Sequence, residues 1–554
     1  MGTYVNPQSE SFRVDQGGEI YVDKTGMLSL LNKMIDTPKH FLAVSRARRF
    51  GKSMAAGMID AYYSRGCDSR ELFSPYEIAK DPDFETYLNK FNVLHFDVAT
   101  YFNKAKTPKD LIPMMDGALR RDFLKEFPYL EAIKPADTPE AMNLVYQEEK
   151  RRFIVIIDEY DCIIRDAPEN EELIRAYLRY LRGFFKTEES KHFLALGYIT
   201  GILPIKKING ESALNNFMEF TMTEPGDLQS FFGFTQDEIN GLCERYNRDP
   251  EDIRDWYNGY YLYAPVKEKT QEEGEDREEG SIRYFGGSFQ KLKYMYNPNS
   301  VVEAFMRNRL ISYWKNTGSF ASLRDFITLN YAGLKEDVVS MLSGERIGVN
   351  ILGFQNDVTS FKTKDDVLTC LIHMGYLGYD ASTEEAFIPN REVAEVFEAA
   401  IVTGDWDDVG DALRRSGELL RAVWKGDTEK VARVIAESHQ DYASIINFHD
   451  ENSLATAIMM SFYTARGDYY VKRELPAGRG FADIVFIPKQ NRKTPAMIVE
   501  LKWNRSANTA IRQIRAKTYT GALSDYHGEI LLVGINYTKK SGKYTCRIEK
   551  NILC

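Results

Sequence analysis

Short apolar runs alternate with amphipathic segments through residues 1–225. The four clearest runs are His40–Ser45, Asn92–Ala99, Phe153–Asp158 and Phe193–Ile202. Runs this short and this continuously apolar are typical of strands buried on both faces of a parallel sheet, and the amphipathic segments between them predict helices that cover both faces. We therefore expect an α/β domain over residues 1–225.

The pattern is mostly helical and rich in aromatic residues over residues 226–440. Within this region the segment Lys267–Glu279 is charged and almost free of apolar residues, which predicts a solvated loop. A helix followed by two short strands over about 363–400 predicts a small winged-helix-like lid, and residues 407–440 predict amphipathic spacer helices. We interpret 226–440 as a helical middle region.

A third pattern begins near residue 441 and predicts a C-terminal α/β domain over residues 441–554. Its elements run helix, three strands, helix and strand. The predicted elements are helices Asn452–Thr464 and Ala507–Gly521 and strands Tyr469–Leu475, Phe481–Ile487, Ala496–Leu501 and Glu529–Asn536. Three domains agree with the length. A chain of 554 residues is too long for one ordinary hydrophobic core and is expected to hold about three or four domains.

Composition narrows the class of protein. An apolar fraction of 44% and an aromatic fraction of 13% indicate a folded globular chain. The formal net charge of −10 argues against broad coating of nucleic acid, but it leaves room for a local basic groove because salt screens charges beyond about 8–10 Å. The six cysteines form no CxxC pair, which argues against a zinc site and favours a reducing cytoplasm. No run of about 18 apolar residues occurs, so no transmembrane helix is expected.

The first candidate site follows the strand-like run His40–Ser45, where a loop leads to Gly51-Lys52-Ser53 and then to a helical stretch. This order of strand, loop and helix places backbone N–H groups where they bind phosphate. Lys52 would contact the β- and γ-phosphates, and the Ser53 hydroxyl would help to hold Mg²⁺. The full phosphate-loop pattern has glycine where this chain has Arg46, so a helix start capped near Ser53 is the alternative.

A second apolar run strengthens the phosphate-loop interpretation, because Phe153–Ile157 is followed by Asp158 and Glu159. In nucleotide hydrolases an acid at the end of such a strand holds Mg²⁺, which is the role expected for Asp158. Glu159 would polarise the attacking water. An apolar strand that ends in acids is common alone, but together with the Gly-Lys-Ser loop it is more specific.

Several short motifs are spread along the chain. They are YVDKT (Tyr21–Thr25), SRARRFGKS (Ser45–Ser53), IIDEYD (Ile156–Asp161), ITGI (Ile199–Ile202), FFGFTQDEI (Phe231–Ile239), WYNGY (Trp256–Tyr260), YNPNS (Tyr296–Ser300) and YWKNTG (Tyr313–Gly318). Together they resemble the predicted AAA-ATPase-like family, in which this module is commonly followed by a PD-(D/E)XK-type nuclease domain. The resemblance implies that Arg46, Arg48 and Arg49 substitute charge for the cradle that glycines usually provide. It also implies that Asp23 and Lys24 lie near the nucleotide.

The second candidate site lies in the C-terminal domain, where Asp483 occurs in one predicted strand and Glu500 and Lys502 in the next. Residues i and i+2 of a strand share a face about 7 Å apart. Buried charges are costly unless they are paired or bind metal. Asp483 and Glu500 can hold one or two Mg²⁺ or Mn²⁺ ions, and Lys502 can orient the attacking water or stabilise phosphorane charge. The alternative is an edge-exposed salt bridge between Lys502 and one acid.

This spacing and order of elements resemble the PD-(D/E)XK nuclease superfamily, although Ala482 precedes the first acid where the pattern usually has proline. The resemblance implies that Glu451 is an auxiliary acidic metal ligand and that Gln513 orients the active site or the DNA backbone. Nearby basic residues could neutralise phosphates, and a solvated helix face explains them equally well. They are Lys489, Arg492, Lys493, Arg505, Arg512, Arg515 and Lys517.

Together these patterns predict an ATP-binding, metal-dependent nuclease that acts on nucleic acid, with DNA the favoured substrate. The first alternative is a nucleotide-switched interaction or nucleic-acid-binding protein with little or no catalysis, which the missing glycine favours. The second is a nuclease fold that serves only as a scaffold. The sequence leaves open the structure of the substrate, the hydrolysis of bound ATP and the formation of oligomers.

Overall fold

The computed structural model describes most of the chain, and the described residues are given at the end of this paragraph. Contacts divide the chain into two compact units, Met1–Trp314 with Gly348–Val393, and Lys315–Ile347 with Ala394–Cys554. The region predicted as a middle segment, 226–440, thus contributes residues to both units, and the boundaries at 225 and 440 stay predictions. Described are 2–208, 211–212, 214–265, 281–283, 289–314, 319–404, 406–443, 451–476, 481–489, 494–516, 526 and 528–552.

A five-stranded parallel sheet forms the centre of the first unit. Its order is β2-β3-β4-β1-β5, and every neighbouring pair runs parallel. The four apolar runs of the sequence correspond to the first four strands, so the predicted parallel sheet is confirmed. The strands are β1 Phe41–Ser45, β2 Asn92–Asp97, β3 Phe153–Asp158, β4 Leu194–Gly201 and β5 Met218–Phe220.

Both faces of this sheet are buried, which explains why its strands lack the alternation of half-buried strands. In β1, Ala43 packs into one apolar cluster, whereas Leu42 and Val44 pack into another on the opposite face. Helices from the flanking segments supply many of the other residues of both clusters. They are Glu10–Gln16, Gly26–Met34, Lys52–Tyr63, Arg70–Phe73, Phe84–Tyr87, Val98–Lys104, Leu111–Glu126, Leu130–Ile133, Thr138–Glu149, Cys162–Asp166, Glu171–Phe185 and Ser190–Phe193.

Smaller elements complete the first unit. The helix Lys364–Met374 and the antiparallel strands Gly378–Asp380 and Glu385–Phe387 follow the order predicted for about 363–400, while their role as a lid stays a prediction. The predicted loop Lys267–Glu279 lies outside the described residues. The other elements are helices Gln236–Tyr246, Pro250–Tyr257 and Pro298–Arg307, 3₁₀ helices Glu77–Lys80, Pro108–Asp110, Gly226–Phe231 and Ile351–Gly353, and strands Lys207–Ile208, Glu211–Ser212, Phe234–Thr235, Tyr260–Pro265, Ser281–Arg283 and Phe289–Tyr296. The two-residue strand Ile347–Gly348 falls at the boundary between the units.

The second unit is built on a mixed sheet of order β6-β7-β8-β9-β10. Only β8 and β9 pair in parallel; the other neighbours are antiparallel. The predicted order of helix, three strands, helix and strand is confirmed, and a final strand follows that the pattern did not predict. The strands are β6 Tyr469–Pro476, β7 Phe481–Pro488, β8 Ala496–Trp503, β9 Glu529–Thr538 and β10 Lys543–Ile552.

Helices cover both faces of the mixed sheet, and the alternation along β8 shows which residues face which helices. Met497 and Val499 pack with apolar residues of Asp407–Lys425 and Thr428–Ala443, whereas Ile498 packs with those of Ala507–Ala516. The helices of this part of the chain are Ser319–Ile327, Leu334–Ser343, Arg391–Thr403, Asp407–Lys425, Thr428–Ala443, Glu451–Ser461 and Ala507–Ala516, with the 3₁₀ helix Tyr463–Gly467. Among the described helices, none has the length and apolarity needed to cross a membrane.

Candidate functional site

The predicted phosphate loop connects β1 to the helix Lys52–Tyr63 at the carboxyl edge of the parallel sheet. The turn depends on left-handed backbone conformations, with φ of 69° at Arg49 and 87° at Gly51. Such a φ favours glycine, which explains the glycine that precedes the lysine. The helix begins at Lys52, so its first backbone N–H groups and the positive end of its dipole lie where a phosphate would bind.

Arg46 does not take the place of a glycine cradle in this structure. Its side chain is buried, and Nη1 donates hydrogen bonds to the carbonyl oxygens of Phe220 (2.8 Å), Thr221 (2.7 Å) and Ser45 (3.0 Å). Burial lowers the pKa of the guanidinium to about 10. The phosphate contact predicted for Arg46 therefore does not match its geometry, because its donors connect the loop to the end of β5. Arg48 and Arg49 are exposed in the same loop.

Lys52 folds back onto its own loop. Its Nζ donates to the carbonyl oxygens of Arg46 (3.0 Å) and Ala47 (3.1 Å), and the side chain is buried. Burial lowers the pKa of the ammonium, and the nearby carboxylates Glu159 and Asp158 oppose that shift. A phosphate could replace the two carbonyls as the partner of this charge.

Ser53 and Asp158 meet at the ends of the two motifs. The Ser53 hydroxyl donates to Asp158 Oδ2 at 2.6 Å, and Asp158 Oδ1 accepts the backbone N–H of Glu159 at 2.9 Å. A hydroxyl and a carboxylate in contact are the hard oxygen donors that Mg²⁺ prefers. These residues fit a magnesium ion held jointly by the phosphate loop and the end of β3.

Glu159 is held by an arginine that sequence reasoning missed. Arg165 Nη2 donates to Glu159 Oε2 at 3.2 Å, and Nη1 donates to Asp161 Oδ2 at 3.0 Å. Burial and the neighbouring Asp161 raise the pKa of the Glu159 carboxyl. The only sequence signal for Arg165 is its position four residues after Asp161 on a short helix, a spacing that brings two side chains together.

A cavity of about 740 Å³ opens beside the phosphate loop, and this volume falls in the range of small-molecule sites. Arg48, Arg49, Lys52, Ser53 and Glu159 supply polar groups to its wall. Apolar and aromatic side chains line the remainder and offer a surface on which a nucleobase could pack. Those side chains include Ile20, Tyr21, Val22, Met58, Phe231, Phe234, Pro298 and Val302.

Five of the short motifs, which are far apart in sequence, contribute residues to this cavity: Tyr21–Thr25, Ser45–Ser53, Ile156–Asp161, Phe231–Ile239 and Tyr296–Ser300. Lys24 also lines it, and its Nζ forms an ion pair with Glu238 at 2.6 Å and donates to the Ser230 carbonyl at 2.8 Å. Asp23 instead accepts the backbone N–H groups of Thr25 and Glu77, both at 2.8 Å. Lys24 thus lies near the expected nucleotide, whereas Asp23 fixes the local backbone.

In the C-terminal unit, Glu500 and Lys502 share one face of β8. Lys502 Nζ lies 3.2 Å from Glu500 Oε1 and donates to the Leu501 carbonyl at 2.7 Å. The side chain of Glu500 is 0% exposed and that of Lys502 is 15% exposed. The alternative of an edge-exposed salt bridge therefore does not fit, because this pair is buried in the sheet.

The remaining predicted residues of this site are placed by their backbone. Asp483 belongs to β7, and Glu451 begins the helix Glu451–Ser461; their side chains lie outside the described residues. Gln513 is half-buried on the helix Ala507–Ala516. Among the side chains that the structure describes, no three His, Cys, Asp or Glu residues are grouped to hold a metal ion.

The basic residues that the sequence predicts around the nuclease site differ in exposure and in their partners. Arg505 and Arg512 are exposed, whereas Arg515 forms an ion pair with Glu549 at 2.5 Å. Lys489 is buried, with its Nζ 5.1 Å from the centre of the Tyr470 ring. Arg492, Lys493 and Lys517 lie outside the described residues.

Comparison with known proteins agrees with both motif sets. Residues 10–209 match the family model described as Predicted AAA-ATPase, and residues 449–546 match the PD-(D/E)XK nuclease superfamily. The chain therefore combines a predicted AAA-ATPase region with a C-terminal PD-(D/E)XK nuclease-superfamily domain. Both belong to enzyme superfamilies.

Two individual proteins are also similar. A protein of Azotobacter chroococcum mcd 1, described as an uncharacterized protein in the vnfD 5′ region, is 22% identical over 312 residues, or 56% of this chain and 52% of that protein. The chain thus spans about half the length of this curated relative. The Walker-type ATPase PABY2304 of Pyrococcus abyssi matches 68% of this chain and 94% of its own, with 12% identity and a TM-score of 0.31.

Proposed function

We propose that this protein binds ATP and Mg²⁺ in its N-terminal unit and cleaves phosphodiester bonds in nucleic acid, with DNA favoured, in its C-terminal unit. We further propose that the bound nucleotide controls cleavage. The observation that carries the nuclease proposal is the buried pair of Glu500 and Lys502 on one face of β8. A buried carboxylate next to a lysine is costly for stability alone, and a metal-dependent active site gives it a purpose.

The sheet register supports Asp483 as the second acid. β7 and β8 are antiparallel, and Ile484 pairs with Val499. One further step in the same register would place Asp483 across from Glu500, and directly opposed residues of an antiparallel pair share a face, with Cβ atoms about 4.5–5.5 Å apart. Glu500 and Lys502 lie on the same face of β8 as Ile498, which packs against the helix Ala507–Ala516.

Each residue then has a chemical task. Asp483 and Glu500, with Glu451 as an auxiliary acid, would hold Mg²⁺ or Mn²⁺, which supplies water activation and neutralises the leaving oxygen. The Lys502 ammonium would donate to the attacking water or to a phosphate oxygen as negative charge develops there. Gln513 would orient the substrate backbone from the neighbouring helix.

In the N-terminal unit, Lys52 would exchange its two carbonyl partners for phosphate oxygens, and Ser53 and Asp158 would hold the nucleotide's Mg²⁺. Arg48 and Arg49 would add positive charge near the phosphates. The apolar part of the 740 Å³ cavity would take the base.

A cleavage assay with the full chain tests the nuclease proposal. Native protein is incubated with single- and double-stranded DNA and RNA, with Mg²⁺ or Mn²⁺, with and without ATP. Cleavage is expected only with metal, and Glu500→Gln and Asp483→Asn should each reduce it at least about 100-fold, because a metal ligand is lost. Glu529→Gln is the control, since Glu529 lies in the same sheet but pairs with Lys550 at the surface.

Undiminished cleavage by Glu500→Gln would overturn the proposed active site. ATP binding without cleavage of any of the four substrates would instead favour a nucleotide-switched interaction protein.

A further inference from the structure

The cavity beside the phosphate loop contains a linked set of charged side chains around Arg165. The set consists of Glu159, Asp161, Arg165 and Asp166, of which Glu159, Arg165 and Asp166 line the cavity. Glu159 follows β3, and its φ of 50° is left-handed, a conformation that is unfavourable for a residue with a side chain. An unfavourable backbone conformation at this position requires neighbours that hold it.

Arg165 has its donors almost fully engaged by carboxylates. Nε and Nη2 donate to the two oxygens of Asp166, both at 3.0 Å. Nη2 also donates to Glu159 at 3.2 Å, and Nη1 donates to Asp161 at 3.0 Å. A guanidinium has five N–H groups, so four of them are used within the protein. This leaves little capacity for a phosphate and favours an indirect role for Arg165.

Asp161 holds the Nη1 end of the Arg165 guanidinium, away from the Nη2 group that contacts Glu159. Its side chain is fully buried, and Oδ2 also accepts the backbone N–H of Leu203 at 2.9 Å. The carboxylate occupies space that Gly201 leaves open at the end of β4, because a Cβ there would lie 2.3 Å from Asp161 Oδ1. The end of the sheet thus sets the position of Asp161, Asp161 sets that of Arg165, and Arg165 contacts Glu159.

We propose that Arg165 is a positioning residue that holds the Glu159 carboxylate in place for hydrolysis of the terminal phosphate of ATP, with Asp161 as its anchor. This inference rests on the proposed ATP site and adds turnover to it. In the step, the water oxygen bonds to the γ-phosphorus while the bond from that phosphorus to the β,γ-bridging oxygen breaks. ADP leaves with the electron pair, and the proton of water passes to Glu159 and then to solvent.

The test separates the chemical step from binding. For native protein and Arg165→Gln, two quantities are measured with the full chain: the single-turnover rate of ATP hydrolysis and the Kd of a non-hydrolysable ATP analogue. Loss of positioning is expected to lower the rate about 100-fold, with the Kd changed less than about threefold. Arg165→Lys, which keeps the charge but loses the planar fork, should recover part of the rate. Arg175→Gln is the matched control, since Arg175 is 71% exposed and pairs only with its helical neighbour Glu171 among its described contacts.

Three results would overturn the inference: an unchanged rate in Arg165→Gln, a rise in Kd as large as the fall in rate, or native protein that binds the analogue without hydrolysing ATP. The second would make Arg165 a phosphate contact. If Arg165→Gln does not fold, the same two measurements are made on Arg165→Lys and Asp161→Asn. Hydrolysis rates within twofold of the native rate in both variants would contradict the proposal that Arg165 positions Glu159. Failure of the proposed ATP site itself is distinct, because native protein would then not bind the analogue at all.

Discussion

His373 should make the first unit sensitive to mild acid. It lies on the helix Lys364–Met374, its ring stacks on Phe354 with centroids 6.0 Å apart, and its Nδ1 has no hydrogen-bond partner among the described residues. Burial lowers the pKa of the imidazole to about 3, and the positive charges of Lys207 and Arg46 add to that shift. The folded protein therefore holds His373 neutral, whereas the unfolded chain binds a proton below about pH 6.5.

The depressed pKa fixes the sign of the effect. The stability that the first unit has with a neutral His373 is fully present above the pKa of about 6.5 in the unfolded chain. It is lost as the pH falls towards the lower pKa of His373 in the folded protein. Each unit of pKa difference corresponds to about 1.4 kcal/mol, so the loss between pH 7.5 and pH 5.0 is about 2 kcal/mol. For the first unit, which holds well over 300 residues, this corresponds to a decrease in Tm of roughly 3 °C.

Calorimetry of the full chain at both pH values, for native protein and His373→Phe, measures this effect. Phenylalanine keeps an aromatic ring against Phe354 and cannot be protonated. Native protein and the variant are expected to differ only in the transition of the unit that contains His373, where the variant should lose about 2 kcal/mol less than native protein on acidification. Equal losses in native protein and variant would refute the argument that this imidazole is held neutral.

Three further predictions concern the nucleotide site. Arg46→Met should destabilise the first unit by about 2–4 kcal/mol in urea unfolding, because buried carbonyls lose their hydrogen-bond donor. Arg49→Met should change the free energy of unfolding by no more than about 0.5 kcal/mol. A larger loss of stability in Arg49→Met than in Arg46→Met would contradict the structural role of Arg46. Lys52→Ala should weaken ATP binding about 10- to 100-fold in a fluorescence titration, since a charge-assisted contact is lost, and unchanged affinity would exclude the proposed phosphate contact. Gly201→Ala should slow ATP hydrolysis by displacing Asp161, whose Oδ1 would lie 2.3 Å from the new Cβ; a native rate in the hydrolysis assay would count against that anchor.

The fold was largely predictable because its main strands form distinct, mostly apolar runs. The smaller strands that the structure describes between residues 207 and 348, outside the two five-stranded sheets, were not predicted, and most of them lie where the sequence predicted a mostly helical region. Within the two five-stranded sheets, two strands escaped prediction for identifiable reasons. β5 contains only three residues, too few for a periodic pattern, and β10 carries a mixed sequence, KYTCRIEKNI, at the end of the sheet. Where strands were predicted, their ends differ from the observed ends by only a few residues.

The sequence identifies the candidate residues of both sites, but it does not show where their side chains point. The sequence places Arg46 in the phosphate loop, yet only the structure shows that its guanidinium points to the carbonyls at the end of β5. Arg165 carries no motif, and its contact with Glu159 depends on the turn that follows β3. The aromatic wall of the cavity comes from segments more than 200 residues apart, such as Tyr21 and Phe231, and local sequence patterns do not reveal such contacts.

The central claim is a metal-dependent nuclease under nucleotide control, and one measurement tests it most directly. The rate of DNA cleavage by the full chain is measured with Mg²⁺ or Mn²⁺, with and without ATP, for native protein, Lys52→Ala and Glu500→Gln. At an ATP concentration that just saturates native protein, the account predicts metal-dependent cleavage by native protein that changes with ATP, cleavage by Lys52→Ala that has largely lost its response to ATP, and cleavage by Glu500→Gln that is at least about 100-fold slower. Undiminished cleavage by Glu500→Gln, or a full response to that ATP concentration by Lys52→Ala, would contradict it.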